Sequence, residues 1–299
     1  MNLPYLSLNN YFRKKYNHRV QKITVSLPFT CPNIDGTKGE GGCIYCSGGS
    51  VPPGNNSDIP LHTQIKDGIS KGMRKYGGKT RFLVYFQTNT NTYSSPENLK
   101  KIYDTALGFE EVIGMDIGTR PDCVNKEILE LIASYKDKMR EIWVEYGLQS
   151  ANEDTLLKIN RGHGVSDFTR AVNETKKHGL KTAAHIIIGF PWETAEDFRN
   201  SALLLAGAGI DAVKIHPLHI IEGTRLAAIY KKEKFGLLSI DQYAEIAAQV
   251  IKILPPETVI MRFTAEADKE KLIAPEYCRP EYKARIRDMI IRELQREEG

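Results

Sequence analysis

Three of the chain's five cysteines, Cys31, Cys43 and Cys46, fall within the stretch "CPNIDGTKGEGGCIYC" and enclose a glycine-rich loop. An odd count in a chain of 299 residues argues against a disulfide framework and for metal binding. Two kinds of centre fit. A structural zinc wants four protein ligands closed into a tetrahedron. No second Cys-x-x-Cys is available, and His18 or His62 would have to serve without finger spacing. A [4Fe–4S] cluster is held by thiolates, usually four. Held by three, it leaves one iron with the open position that a catalytic centre needs. Cys123 and Cys278 stand apart and read as half-buried structural thiols.

The elements around this loop follow an alternating plan. Six β-rich runs occur at 22–29, 81–86, 111–118, 141–149, 182–190 and 212–220. Most are near-continuous apolar runs, as expected of parallel strands buried on both faces. Helical stretches separate them at 61–76, 96–108, 124–138, 167–178 and 194–207. Ser95 before Pro96 reads as an N-cap, and Thr194 to Asp197 as a capping box. Six such units build either a barrel-like sheet or a doubly wound open sheet. Beyond them, 239–253 reads as a helix, 258–263 as an added strand and 280–296 as an amphipathic closing helix.

Polar segments gather at the carboxyl ends of these strands, where parallel α/β folds bind ligands. After the cysteine loop come "QTNTNTY" (87–93), "GTRPD" (118–122), Gln149 with Ser150, "GFPWE" (189–193), and His216 with His219. One shared cleft follows. Glu145 and His185 lie inside strands, where they would face a barrel interior. The glycines at 39–42 lack the Lys-Ser/Thr of a phosphate loop, and nothing resembles a Ser–His–Asp set.

Composition is that of an ordinary globular protein, 41% hydrophobic and 26% charged, with a net charge of +4. No run of eighteen apolar residues suggests a membrane span, and the N-terminus lacks a signal-peptide order, so a cytoplasmic location is expected. Basic groups at 13–22 (Arg13, Lys14, Lys15, His18, Arg19, Lys22), at Lys231, Lys232 and Lys234, and at Lys283, Arg285 and Arg287 permit phosphate contact without demonstrating it.

The blocks "TCPNIDG", "GGCIYC", "YFQTNTNTY", "EYGLQS", "RGH" at 161–163, "HIIIGFPWET", "KIHPLHIIEGT" and "APEY" resemble the radical S-adenosylmethionine superfamily, in its YtqA/YhcC-like branch, related to the elongator catalytic subunit. The usual Cys-x3-Cys-x2-Cys motif is departed from: eleven residues separate Cys31 from Cys43. The resemblance implies a partial TIM-like (β/α)6 barrel of parallel strands with a C-terminal α/β extension. It divides the chain into an N-terminal extension (1–20), a core (21–222) and an extension closing the barrel (223–299). It implies a [4Fe–4S] cluster on Cys31, Cys43 and Cys46, whose free iron takes S-adenosylmethionine and whose electron releases a 5′-deoxyadenosyl radical. Tyr45, Gln87, Asn89, Gln149, Arg161, Gly189, His216 and Leu218 match cofactor-contacting positions, with Pro191 in the same turn as Gly189. An electron donor such as flavodoxin or ferredoxin is implied as a partner. The implied substrate is tRNA, through the C5 side chain of the wobble uridine, carboxymethylaminomethyl being taken towards aminomethyl. A free small molecule is the alternative substrate, and a non-catalytic zinc-stabilised RNA-binding protein is the alternative from another class. No auxiliary cysteine cluster and no acetyltransferase domain are visible.

Overall fold

Apolar runs in this chain become strands with almost no exposed residue, such as β4, Glu141–Gln149, buried at every position but the last. The computed structural model describes residues 3–46, 57–264, 267 and 269–296. The other strands of the main sheet are β1 (Val20–Val25), β2 (Arg81–Phe86), β3 (Val112–Thr119), β5 (Lys181–Ile188), β6 (Ala212–Pro217) and β8 (Val259–Arg262). Their order is β1-β2-β3-β4-β5-β6-β8, with every pairing parallel. A two-stranded antiparallel ribbon, β7 (Ile220–Ile221) with β9 (Leu272–Ala274), stands beside it.

Six steps of about 4.8 Å would put the edges of a flat seven-stranded sheet about 29 Å apart. Instead Lys22 Nζ of β1 lies 3.4 Å from Met261 Sδ of β8. The sheet is therefore curled into an unclosed, half-barrel form.

Helices cover the outside: α2 (Leu61–Tyr76), α3 (Pro96–Ala106), α4 (Lys126–Ala133), α5 (Glu153–Lys158), α6 (Val165–Lys177), α7 (Ala195–Ala208), α8 (Arg225–Glu233), α9 (Ile240–Ile253) and α10 (Lys283–Gln295). Except for α5 and α8, which pack in a separate cluster with Ile44, Phe190 and Leu218, their apolar stripes meet strand residues in one large core that includes Ile65, Leu99, Ile132, Phe168, Leu205 and Tyr243. The expected caps form: Ser95 accepts from the Asn98 N–H, and Thr194 and Asp197 satisfy each other's backbone.

The amino end of the barrel is sealed by α1 (Leu8–Tyr16). Its Phe12 packs on a small core of Val20, Leu83, Trp143, Ala183, Ala212 and Val259. Just before α1, the chain lies along the outer edge of β8. The Ile260 N–H donates to the Leu6 carbonyl at 2.8 Å, and Ser7 bridges Ile260. Beneath this plug the carboxylate of Glu141, fully buried, accepts from Tyr16 Oη at 2.6 Å, Lys15 Nζ at 2.6 Å and Trp143 Nε1 at 2.9 Å. Replacing Glu141 by alanine strands the buried indole N–H and loosens α1. We expect a loss of about 2–3 kcal/mol, read as a lower denaturation midpoint at unchanged slope.

Several boundaries differ from the sequence reading. β1 ends at Val25 rather than 29, because Ser26 leaves the sheet and its N–H turns to Gln64 Oε1 at 2.9 Å. α4 stops at Ala133, and α1, α5 and α8 are additional. Lys22 is not part of a surface basic group: it points into the barrel, against Asp116 and Glu145. Among the described residues no helix is long and apolar enough to cross a membrane.

Candidate functional site

The cysteine loop caps the carboxyl rim of the barrel, and it is pinned there mainly by backbone groups. The Ile44 N–H donates to the Ile159 carbonyl at 3.0 Å, and the Leu226 N–H donates to the Ile44 carbonyl at 2.8 Å. Asn160 reaches across with its amide to the carbonyls of Glu40 (3.0 Å) and Gly42 (2.8 Å). Asn33 returns the contact, donating to the Asn160 carbonyl at 2.6 Å. Arg225 at the start of α8 donates to the Gly42 carbonyl. The turn Cys43–Cys46 closes with a 3.0 Å bond from the Cys46 N–H to the Cys43 carbonyl.

Electrostatics at this rim favour thiolates. Arg161, buried, donates from Nη2 to the Gly147 carbonyl at 2.7 Å and from Nη1 to Cys43 Sγ at 3.5 Å. Burial opposes ionisation of the Cys43 thiol, but the Arg161 charge and the Tyr45 hydroxyl override it and hold the thiol below its ordinary range. Burial alone governs Cys278 and, with Asp122, Cys123; both are pushed up to about 12. Cys43 is thereby set apart from these two inert thiols.

A second guanidinium supports the first. Arg120, just after β3, donates from Nη1 to the Arg161 carbonyl at 2.9 Å and grips Asp122 through Nε (2.9 Å) and Nη2 (3.0 Å). Lys38 of the cysteine loop reaches the same carboxylate at 3.1 Å. Two neighbouring guanidinium groups repel each other unless an anion stands with them, and the Arg161 Nε–H is buried without a hydrogen-bond partner. An anionic thiolate-bound cluster fits this donor set. Among the described residues no three His, Cys, Asp or Glu side chains converge on one ion-sized point.

The remaining sequence-selected residues are distributed around the same rim. Tyr45 packs its ring near Phe190, with centroids 6.4 Å apart. Gln87, just after β2, is half-buried, its N–H on the Val25 carbonyl at 3.3 Å. Gln149 sits at the end of β4 with φ +77°, a strained conformation for a side-chain-bearing residue. Gly189 after β5 has φ +113°, and a Cβ there would lie 3.5 Å from Leu218 Cβ. His216 faces the lumen beside His185, ring centroids 5.5 Å apart, its Nε2 buried and unpartnered. Leu218 is buried with Ile44 and Phe190. Asn89 is different: exposed, it spends its amide on the Phe29 carbonyl at 2.6 Å and braces the approach to Cys31.

Sequence reasoning missed Gly147 and Arg120. A Cβ on Gly147 would fall 2.5 Å from both Arg161 Nη2 and Gln149 Nε2, so only glycine lets Arg161 dock there. Arg120 carried one usable signal, a charge placed directly between a buried strand and Pro121.

Residues 36–205 match the Radical SAM superfamily, and residues 210–296 match the Radical_SAM C-terminal domain. The chain belongs to the radical SAM superfamily. This radical SAM protein is 35% identical over 273 residues to YtqA of Bacillus subtilis, spanning 91% of the chain and 84% of YtqA. With its likeness to YhcC of Escherichia coli, this places it in the YtqA/YhcC-like branch. It is also 31% identical over 171 residues to a tRNA uridine(34) acetyltransferase of Methanocaldococcus infernus, covering 56% of the chain and 31% of that protein. Its fold is similar to that of Methanocaldococcus infernus Elp3 lacking residues 1–46, at TM-score 0.66 and 19% identity, over 85% of this chain and 58% of that one. Radical SAM proteins use a [4Fe–4S] cluster and S-adenosylmethionine, and these are the cofactors of this chain. When bound, the pair supplies hydrogen-atom abstraction from an unactivated carbon; the protein supplies placement, charge and exclusion of water.

Proposed function

We propose that this radical SAM enzyme modifies the C5 side chain of the tRNA wobble uridine, taking carboxymethylaminomethyl towards aminomethyl. Cys31, Cys43 and Cys46 hold the cluster, leaving one iron for S-adenosylmethionine. Tyr45, Gln87, Gln149, Arg161, Gly189, His216 and Leu218 surround that cofactor. The observation that carries the catalytic reading is a rim of three thiols backed by the buried guanidinium of Arg161. The tRNA reading draws support from the likeness to the tRNA uridine(34) acetyltransferase. It also fits the surface: α8 starts against the cysteine loop and ends with Lys232 and Lys234 exposed, where phosphate can approach. In this reading residues 21–222 carry the chemistry, residues 223–299 close the barrel, a flavodoxin or ferredoxin supplies the electron, and the cytoplasm is the working compartment.

Mass spectrometry of tRNA nucleosides tests this reading. Cells lacking the gene should accumulate carboxymethylaminomethyl uridine and lose its aminomethyl descendants. Unchanged nucleoside profiles would count decisively against tRNA as the substrate.

A further inference from the structure

Between the sealed floor and the cysteine rim, six side chains from six strands form one charged layer inside the barrel. They are Lys22, Tyr85, Asp116, Glu145, His185 and Lys214. Glu145 accepts from Lys22 Nζ at 2.8 Å on Oε1, and on Oε2 it meets His185 Nε2 at 2.7 Å and Lys214 Nζ at 2.5 Å. Lys214 also donates to Tyr85 Oη at 2.8 Å, and Asp116 forms an ion pair with Lys22. The carboxylates of Asp116 and Glu145 are fully buried.

Such a layer is an expensive way to fill a barrel. Buried ion pairs seldom outperform apolar side chains of similar volume, and the floor directly below is apolar: Leu83, Trp143, Ala183, Ala212 and Val259. The layer is also incomplete. Neither oxygen of Asp116 has a hydrogen bond of good geometry despite full burial. The layer is not fully covered: Lys22 and His185 keep 14% and 22% of their side-chain surface exposed, and Gly118, paired with Glu145 across β3 and β4, presents no side chain.

The layer contains two ammonium groups and two carboxyl groups, with His185 held neutral by burial and by Lys214. A guest that is only anionic would strand the carboxylates. A guest that is only cationic would strand the lysines, and an uncharged one would leave Asp116 unmet. A short zwitterion satisfies both signs at once. We infer that this layer is a specificity subsite for a substrate group carrying a secondary ammonium one carbon away from a carboxylate, the ammonium on Asp116 and the carboxylate on Lys22 and Lys214. The inference rests on the proposed function, since a carboxymethylaminomethyl side chain is such a group. Burial, then the charge of Glu145, pushes the Asp116 carboxyl up to about 7, and burial brings Lys214 down to about 8. An arriving pair of opposite charges would restore full ionisation of both.

The test is binding to the cluster-loaded protein, read by fluorescence anisotropy. Three anticodon stem-loops are compared, with carboxymethylaminomethyl, aminomethyl or carboxymethyl on the wobble uridine, alongside N-benzylglycine as a small zwitterionic competitor followed by calorimetry. Wild type should prefer the first stem-loop by about tenfold, a difference of about 1.4 kcal/mol. Asp116→Asn and Lys214→Met should each reduce that preference to about twofold or less, with iron content and helical circular dichroism unchanged. If Lys214→Met does not fold, the near-isosteric Asp116→Asn decides alone. Where the stem-loops bind better than an unrelated RNA hairpin, a preference absent from wild type, or undiminished in the variants, overturns the subsite and leaves the tRNA reading standing. If no stem-loop binds better than an unrelated RNA hairpin, the tRNA reading falls. The subsite then stands if N-benzylglycine binds wild type and not the variants, and falls if it binds neither.

Discussion

Replacing Cys43 by alanine is expected to empty the iron–sulfur site. Reconstituted wild-type protein should be brown, with about four irons and four sulfides per chain, and the variant should be colourless with iron near background. Two facts set the size of this effect. Cys43 is buried, and Arg161 and Tyr45 hold its thiol below the ordinary range. The remaining pair, Cys31 and Cys46, supplies only two ligands. S-adenosylmethionine cleavage with dithionite, scored as 5′-deoxyadenosine, should fall to the protein-free rate. Cys123→Ala and Cys278→Ala serve as controls. Burial pushes those thiols up to about 12, which makes them poor ligands, and both variants should retain full iron. A Cys43→Ala protein that stays brown and cleaves cofactor would refute the ligand assignment.

The second large effect is expected at Arg161. Its guanidinium ties the carbonyl of Gly147 on β4 to the sulfur of Cys43 on the rim loop. Arg161→Met keeps much of the volume and removes both donors. The stranded carbonyl and the lost charge-assisted bonds should cost about 2–3 kcal/mol of unfolding free energy in the cluster-free protein. Iron retained after desalting should drop below about half of the wild-type four, because the rim loses its nearest positive charge. Arg161→Lys restores charge but not the planar fork, so it should recover iron without recovering stability in full. Normal stability together with normal iron in Arg161→Met would show that the guanidinium holds neither the loop nor the cluster.

Local chemistry was legible in the sequence because it depends on short spacing. The three-thiol loop, the Ser95 cap, the Thr194–Asp197 box and the polar strand ends are each contained within a short stretch of chain, and both caps form as expected. The charged layer was not legible in the same way. Lys22, Asp116 and Lys214 meet only because the sheet curls from β1 to β6, and no local period reports curvature. Lys22 was accordingly grouped with surface cations. α1 escaped notice for a related reason: it buries a single residue, Phe12, so its nine residues carry almost no apolar signature. Its worth comes from what it covers. Arg120 was visible as a residue but not as a partner, since Arg161 arrives from a different unit of the chain.

The stretch from Leu6 through α1 does more than close the barrel's lower end. It lies along β8, an outermost strand whose backbone would otherwise be available to another molecule, and it shields Trp143 from solvent. Shortened versions of the chain that begin at β1 would therefore present a sticky border and an aromatic patch. They would precipitate during purification even though every cluster ligand were still in place, so that trimming at this end would mimic a loss of catalytic competence that the chemistry itself does not suffer.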